Sequence, residues 1–240
     1  MSRPVVPIPV SHKVQLLLVR QAGVQSAQLA SALLTEARAL RRDGVNVGLA
    51  MALPPSVMGL STQGASGSGL PTIDAVLEIA DSPDRSFGAL GERFAGIGAR
   101  LTGLFDQPKS CALAGTEHIV MPGAGPVILY CPLRRLEHLS RREFHDYWLN
   151  VHAEFGRFPG NRYRQYHCDE AATQAAGAAA GVAAGDFDGL AIAYFNDVGH
   201  LRATLASPDI SKDAFADEQR FIAHSRSQFL PFAAVEFTPG

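Results

Sequence analysis

Apolar runs and segments of helical spacing alternate along the chain in an order that occurs twice. Val14–Arg20 is an apolar run rich in Val and Leu that predicts a buried strand, and Val127–Leu133 is a similar run 113 residues later. Each run precedes a helical segment that starts at a serine, Ser26–Arg42 and Ser140–Phe155, and Glu143 lies at the capping-box position of the second. The two starting serines are 114 residues apart, which indicates an internal repeat.

The remaining elements follow in the same order in both halves. Further strands are predicted at Val45–Leu53, Thr72–Ala80, Cys111–Met121, Tyr163–Cys168, Phe187–Phe195 and Phe232–Thr238, and further helices at Arg85–Thr102, Val198–Ala206 and Lys212–Gln228. Each half therefore has the order β-α-β-β-α-β of the ferredoxin-like unit. Because helices cover one face of each antiparallel sheet and the other face is apolar, we predict an α+β fold. In it, two ferredoxin-like repeats, residues 1–123 and 124–240, pack their sheets into one α+β barrel within the chain.

Each half also contains a segment of small residues after its second strand. These segments are Gly59–Leu70 and Ala171–Gly185. Because Gly177, Gly181 and Gly185 weaken helix formation, the second segment is interpreted as a mobile linker, and the alternative is a lid over a neighbouring cleft.

Composition narrows the class of protein. The chain has 240 residues, a formal net charge of −2, 47% apolar residues and 18% charged residues, which is typical of a globular protein and argues against nucleic acid or an anionic membrane as a partner. No apolar run reaches the ~18 residues of a membrane helix, and the first ten residues do not resemble a secretory signal. Cys111, Cys131 and Cys168 have no CxxC spacing, which favours a reducing compartment. We therefore expect a cytoplasmic protein, either a monomer that is an internal pseudo-dimer or a homodimer of it.

Candidate chemistry is concentrated in residues 134–167. This window holds four of the eight histidines, the only tryptophan and three of the five tyrosines. Helical spacing places one stripe of side chains towards the sheet: Phe144, Tyr147 or Trp148, Val151 or His152, and Phe155. His145 lies two turns before His152 on nearly the same stripe. His152 is either a neutral core histidine with a hydrogen-bond partner or a general acid/base in a pocket between helix and sheet.

The strand after this helix has polar side chains on both faces. Alternation places Tyr163, Gln165 and His167 on one face of Arg162–His167, and Arg162, Arg164 and Tyr166 on the other. A central strand with polar groups on both faces favours a wet or ligand-filled cavity on one of them. Tyr163, Gln165 and His167 opposite Trp148 and His152 would line such a cavity.

Motifs of metal and nucleotide sites are missing from the sequence. His138, His145 and His152 are seven residues apart, so neighbours on a helix are ~10 Å apart along the axis and cannot share one ion. There is no HExxH, Walker loop, GxGxxG or GxSxG. We interpret the pairs Arg134–Arg135 and Arg141–Arg142 as a solvated helix face, with an anion site as the alternative. The sequence thus predicts neither a metal nor a nucleotide.

LSRREFHDYWLNVHAEF followed by RYRQYH resembles the EthD family of dimeric α+β barrel proteins. The likeness is carried by Phe144, Tyr147, Trp148, His152, Ala153, Tyr163 and His167, by FDGLAIAYF and by DEQRFI at Asp217–Ile222. It covers about residues 125–238. The first half departs from the pattern: the positions 114 residues before Phe144, Tyr147, Trp148 and His152 are Ala30, Leu33, Leu34 and Arg38. The resemblance therefore implies a single competent cleft, in the second half.

Proteins with this barrel include cofactor-free monooxygenases, muconolactone isomerases, polyketide cyclases, dehydratases and haem proteins, so the fold leaves the reaction open. The first hypothesis is a cofactor-independent isomerase, lyase (dehydratase) or cyclase that acts on a small hydrophobic, oxygenated aromatic or cyclic substrate. His152 would be the acid/base, and Tyr163 and His167 would hydrogen-bond a substrate oxygen. The substrate-binding residues would be Tyr147, Trp148, Phe155, Gln165 and His145. The alternatives are an oxidoreductase, as a cofactor-free or haem-dependent monooxygenase, and a non-enzymatic carrier of small ligands.

Overall fold

The two repeats share the order of four strands and their covering helices, and the second repeat adds α6 and the short strand β7 after its second long strand. The computed structural model describes residues 9–42, 44–58, 70–82 and 84–236. The first repeat consists of β1 (Val10–Leu18), α1 (Ser26–Arg42), β2 (Asn46–Ala52), β3 (Ala75–Asp81), α2 (Phe87–Glu92), α3 (Ile97–Arg100) and β4 (Cys111–Met121). The second consists of β5 (Val127–Leu133), α4 (Arg141–Tyr147), α5 (Ala153–Gly156), β6 (Tyr163–Cys168), α6 (Glu170–Ala180), β7 (Ala183–Ala184), β8 (Gly189–Phe195), α7 (Val198–Ala206), α8 (Phe215–Glu218) and β9 (Leu230–Ala234). The predicted boundary between residues 123 and 124 falls in the connection from β4 to β5.

Local signals start both long helical segments where the sequence predicts. Ser140 caps α4, and its side chain and that of Glu143 form a reciprocal capping box. In α1 the buried residues Leu29, Leu33 and Ala37 recur at helical spacing and cover the sheet. A π-helical turn over Trp148–His152 connects α4 to α5, so the chain stays helical through residue 156.

Strand pairing closes the sheets into a barrel. The order is β1-β3-β2-β9-β5-β8-β6-β4, and pairing of β1 with β4 completes a ring of eight antiparallel strands. Within each repeat the order is the 4-1-3-2 order of the ferredoxin-like unit. The repeats join where the second strand of one meets the fourth strand of the other, as β2 with β9 and as β6 with β4. The predicted α+β barrel of two ferredoxin-like repeats is confirmed.

Side chains divide between the outside and the interior of the barrel by strand alternation. One apolar layer lies under the helices of the first repeat and includes Leu33 and Phe94, and another lies under those of the second and includes Phe144 and Phe221. The barrel interior is apolar around Phe232. Among the described residues, no helix is long and apolar enough to cross a bilayer.

Both polar faces of β6 have partners in the structure. The inner face places Arg164 against Glu117 of β4, with a guanidinium-to-carboxylate distance of 3.1 Å, and Tyr166 donates to the Lys13 carbonyl at 3.0 Å. The outer face, with Tyr163 and Gln165, lies under the helices of the second repeat. Polar residues on the inner face therefore reflect a charged network in the barrel rather than a second cavity.

The segment Ala171–Gly185 is not a mobile linker, so that interpretation was wrong. Residues 170–180 form α6, which is capped by the Asp169 side chain and ends at Gly181 with φ 73°. Its buried residues Ala176 and Ala180 belong to the apolar layer of the first repeat. The alternative of a lid is also excluded for α6, because none of its residues lines the cavity described below. Of Gly59–Leu70, residues 59–69 lie outside the described part of the chain.

Two predicted helices are shorter than expected. The segment Arg85–Thr102 is divided into α2 and α3 at Gly96, which has φ 70°. The segment Lys212–Gln228 begins in a π-helical turn, Asp209–Ala214, and continues as α8 only to Glu218. A 3₁₀ turn at His224–Arg226 then leads into β9. This early end of the helix turns Glu218 and His224 towards each other.

Candidate functional site

A cavity of about 660 Å³ lies between the sheet and the helices of the second repeat. Its floor consists of Leu129, Cys131 and Leu133 of β5, Tyr163 of β6, and Ala191, Ala193 and Phe195 of β8. Its walls include Trp148, His152, Phe155, Phe158, Thr204, Ile210, Phe215, Glu218, Ile222, His224 and Phe229. The lining is mostly apolar with a few polar groups, which is typical of a small-molecule site.

His152 and Asp217 form a buried pair at the cavity wall. His152 Nδ1 lies 2.8 Å from Asp217 Oδ2, and each residue is 7% exposed. Since a carboxylate only accepts, Nδ1 carries the hydrogen and Nε2 is the basic nitrogen. Among the described residues Nε2 has no hydrogen-bond partner, so it is available to a molecule in the cavity. Tyr147 donates its hydroxyl hydrogen to Asp217 Oδ1 at 2.7 Å and holds the carboxylate in place.

Tyr163 supplies a hydroxyl group to the cavity floor. Its oxygen accepts a hydrogen bond from Trp148 Nε1 at 2.9 Å, and the Gln165 side chain also hydrogen-bonds with this hydroxyl group. Burial raises the pKa of Tyr163 well above its ordinary value, although the Trp148 hydrogen bond acts in the other direction. The phenol therefore remains a hydrogen-bond donor at neutral pH.

Gln165 and His167 lie outside the cavity lining. Gln165 donates to the Trp148 carbonyl at 2.9 Å, and its amide oxygen is 3.2 Å from His167 Nε2. His167 stacks on the Trp148 indole, with ring centroids 5.0 Å apart, and lies between His145 and His118. Burial, together with the two neighbouring imidazoles, lowers the pKa of His167 to about 2. The His167 imidazole is therefore neutral at ordinary pH and lies outside the cavity.

The other predicted binding residues are distributed around the helix. Phe155 lines the cavity, while His145 donates from Nε2 to the Asp188 carbonyl at 2.8 Å. Burial lowers the pKa of His145.

The arginine pairs Arg134–Arg135 and Arg141–Arg142 lie close to carboxylates. Arg134 forms an ion pair with Asp186, and both Arg135 and Arg141 form ion pairs with Asp188.

The family comparison matches the part of the chain that contains the cavity. Residues 136–225 match the family model described as the EthD domain. The second repeat contains an EthD domain. The matched residues include Trp148, His152, Tyr163 and Asp217, so the buried His152–Asp217 pair and the Tyr163 hydroxyl group belong to it.

Solved structures resemble the EthD domain together with the first repeat. An anthrone oxidase-like protein has a TM-score of 0.59 at 9% identity over 95% of both chains. A putative monooxygenase from Lactobacillus acidophilus has a TM-score of 0.51 at 10% identity over 94% of this chain and 93% of its own. A heme-binding protein from Thermus thermophilus has a TM-score of 0.50 at 11% identity over 96% and 94%. These likenesses establish the shared fold. Comparison with curated proteins finds no match.

Sequence reasoning missed three polar residues of the EthD domain site. Asp217 was noted only within the motif DEQRFI, and Glu218 and His224 were given no role. Glu218 Oε2 lies 2.8 Å from His224 Nε2, and both side chains line the cavity. The available signal was the pair Asp217-Glu218 before an apolar position, which by itself also fits a solvated helix face.

Of the residues that line the cavity, His152 is the one best suited to bind haem iron. The imidazole of His152, with Nδ1 on a carboxylate and Nε2 free, has the chemistry of an axial iron ligand. Haem also carries two propionates, and no Lys or Arg is present among the described residues that line the cavity. No cluster of metal-ligating side chains occurs among the described residues. The described cavity lining therefore does not fit haem.

Proposed function

We propose that the protein is a cofactor-independent general acid/base catalyst for small apolar ring compounds that carry a carbonyl or phenol oxygen. The observation that carries this proposal is the His152–Asp217 pair, which leaves one basic nitrogen at the wall of an apolar cavity. The reaction class is proton transfer at a carbon next to a carbonyl, which includes isomerisation, elimination and cyclisation.

Each polar group has a distinct task in this reaction. Nε2 of His152 takes the proton from carbon, and the Asp217 carboxylate stabilises the imidazolium that results. The Tyr163 hydroxyl donates a hydrogen bond to the enolate oxygen, where negative charge develops. Trp148 and Phe155 provide flat apolar surface for a ring. His167 is not part of this proposal, since Trp148 contacts it outside the cavity.

Oxygenation of an electron-rich phenol or anthrone is a second candidate function. The same base would form the carbanion or phenolate, and the apolar lining gives dissolved dioxygen access to it. The anthrone oxidase-like and monooxygenase neighbours are named for this type of chemistry. A non-enzymatic carrier would bind the same molecules without exchange of protons.

Proton exchange tests the proposed function directly. Anthrone and 3-cyclohexen-1-one are incubated anaerobically in D₂O, and the loss of protons at the activated carbon is followed by NMR. We expect the wild type to accelerate exchange, and His152→Gln to reduce the enzymatic rate by about 10²- to 10⁴-fold. Asp217→Asn should reduce it in the same direction because the imidazolium loses its partner.

His138→Gln is the matched control, since His138 is an exposed histidine on the same segment. Equal rates for wild type and His152→Gln would contradict the proposal, and tight binding of both probes without exchange would support the carrier. Oxygen uptake with anthrone identifies the second candidate, and a Soret band after addition of haem would overturn the cofactor-free assignment.

A further inference from the structure

A second pair of proton-carrying side chains lies in the wall of the same cavity. Glu218, the last residue of α8, accepts a hydrogen bond from His224 Nε2 at 2.8 Å. The His224 ring is held between Phe215 and Phe229, at centroid distances of 4.9 and 6.1 Å. The side chains of Glu218 and His224 are 19% and 15% exposed, so this pair is largely desolvated.

A purely structural role for the Glu218–His224 pair would cost folding free energy. Two ionisable groups beside an apolar cavity lose hydration, and an apolar pair would fill the same wall at lower cost. The other ionisable groups of the lining are Tyr163 and Cys131, and burial raises the pKa of both, with Glu218 adding to the effect. Tyr163 and Cys131 therefore keep their protons at neutral pH, and the acid/base groups that remain in the described lining are His152 and the pair Glu218–His224.

The two pairs are built from adjacent residues of one helix. Asp217 turns to His152, and Glu218 turns into the cavity towards His224. Glu218 lines the cavity together with His152, Tyr163 and Cys131. A ring bound in this cavity therefore shares one space with the His152 imidazole and with the Glu218–His224 pair.

Resting on the proposed function, we propose that Glu218 and His224 act as the second acid/base pair and transfer a proton at a second carbon of the same substrate. The substrate class is then a cyclic carbonyl compound with two exchangeable positions in conjugation. The reaction is the shift of a β,γ double bond into conjugation with the carbonyl.

The step balances without an external oxidant or reductant. His152 Nε2 removes the α proton, and the electron pair of the C–H bond forms a dienolate whose oxygen is held by Tyr163. The Glu218–His224 pair gives its proton to the γ carbon, and the electron pair returns from oxygen as the double bond shifts. The imidazolium of His152 and the deprotonated pair then exchange one proton through solvent, so the charge of the cavity is unchanged over the cycle.

The conversion of 3-cyclohexen-1-one to 2-cyclohexen-1-one in D₂O separates the two transfers. Exchange of hydrogen for deuterium at C2 reports removal of the α proton by His152. Formation of 2-cyclohexen-1-one reports transfer of a proton to C4 by the Glu218–His224 pair. We expect Glu218→Gln to lower the ratio of the conversion rate to the C2 exchange rate at least tenfold relative to the wild type. Glu218→Asp keeps a carboxylate and should recover part of the conversion, and His224→Gln should resemble Glu218→Gln.

Glu154→Gln is the matched control, because Glu154 is an exposed carboxylate beside the cavity that pairs with Arg157. Thermal unfolding of each variant confirms that the fold is retained. Unchanged conversion in Glu218→Gln, or an equal loss of exchange and conversion, overturns this inference and leaves the role of His152 intact. If the wild type accelerates neither process, the proposed function itself has failed.

Discussion

The buried histidines of this protein have two kinds of surroundings. His152 hydrogen-bonds to the Asp217 carboxylate, whereas His167 lies between the rings of His118 and His145. Burial lowers the pKa of all three stacked histidines, and the neighbouring imidazoles add to the effect for His118 and His167. Burial alone therefore does not identify a candidate acid/base histidine. The chemical nature of its hydrogen-bond or stacking partner distinguishes the two kinds.

The histidine stack makes stability depend on pH. The folded pKa of His167 is about 2 and its ordinary value is 6.5, so the unfolded chain binds more protons between these values and stability is lost as the pH falls below 6.5. His167→Phe keeps a ring against Trp148 and removes one titration. From pH 7 to 5 we expect it to lose about 2 kcal/mol less unfolding free energy than the wild type.

Urea unfolding at both pH values, followed by the fluorescence of the single tryptophan, measures this difference. We also expect the unfolding free energy of His167→Phe to be lower by an amount that does not depend on pH, because the buried Gln165 amide oxygen loses its hydrogen-bond donor. His138→Phe at an exposed site should keep the pH dependence of the wild type. An equal pH dependence for His167→Phe and the wild type would show that His167 binds a proton as readily in the folded as in the unfolded state, and would contradict the lowered pKa.

Helix α6 shows how composition misleads at the scale of an element. Its glycines suggested flexibility, yet the small residues of this helix allow close approach to α2 of the first repeat and to β7. The Cβ position of Gly91 in α2 is 3.5 Å from Ala176 Cα, and that of Gly177 is 3.0 Å from the Ala184 nitrogen. Small residues are required where backbones pack this closely, and the tertiary contact supplies the stability that helix propensity lacks.

An enlarged side chain on the packed face of α6 tests this interpretation. Ala176→Leu places a larger group against α2, and we expect a loss of about 1–3 kcal/mol in unfolding free energy from overpacking. Ala175→Leu changes the neighbouring exposed position and should have little effect. Urea unfolding compares the two variants, and similar stability would contradict the packed helix. Proton exchange should remain at the wild-type rate because α6 does not line the cavity.

At the scale of the whole molecule, a charged network inside the barrel joins the two repeats. Lys13 of β1 contacts Glu78 at 2.9 Å and Glu117 at 2.7 Å, and Glu117 also binds Arg164 of the second repeat. Burial by itself lowers the pKa of Lys13, but the two carboxylates outweigh it and raise that pKa above its ordinary value. The network is therefore charged and paired at neutral pH.

Removal of the central charge should destabilise the barrel. Lys13→Met leaves two carboxylates without their buried partner, and we expect a loss of about 3–5 kcal/mol. Lys109→Met breaks an exposed pair with Asp106 and should cost at most about 1 kcal/mol. Denaturant unfolding measures both, and addition of Glu117→Gln to Lys13→Met should recover part of the loss. A cost for Lys13→Met no greater than that for Lys109→Met would contradict the paired network.

Sequence periodicity determined the order of elements, the repeat and the start of its helices. Ser140 with Glu143, and the stripe through Phe144, Trp148 and His152, are local patterns, and local hydrogen bonds and burial act at the same spacing in the fold. For this reason the barrel of two ferredoxin-like repeats could be predicted before any contact was known.

Tertiary structure alone decided which polar groups meet. Asp217 reaches His152 across 65 positions of the chain, and the early end of α8 brings Glu218 to His224. His152 and His167 look alike in the sequence, yet the Trp148 indole leaves only the first of them at the cavity. Periodicity reports which side of an element is buried, whereas the partner of a buried polar group depends on the packing of distant elements.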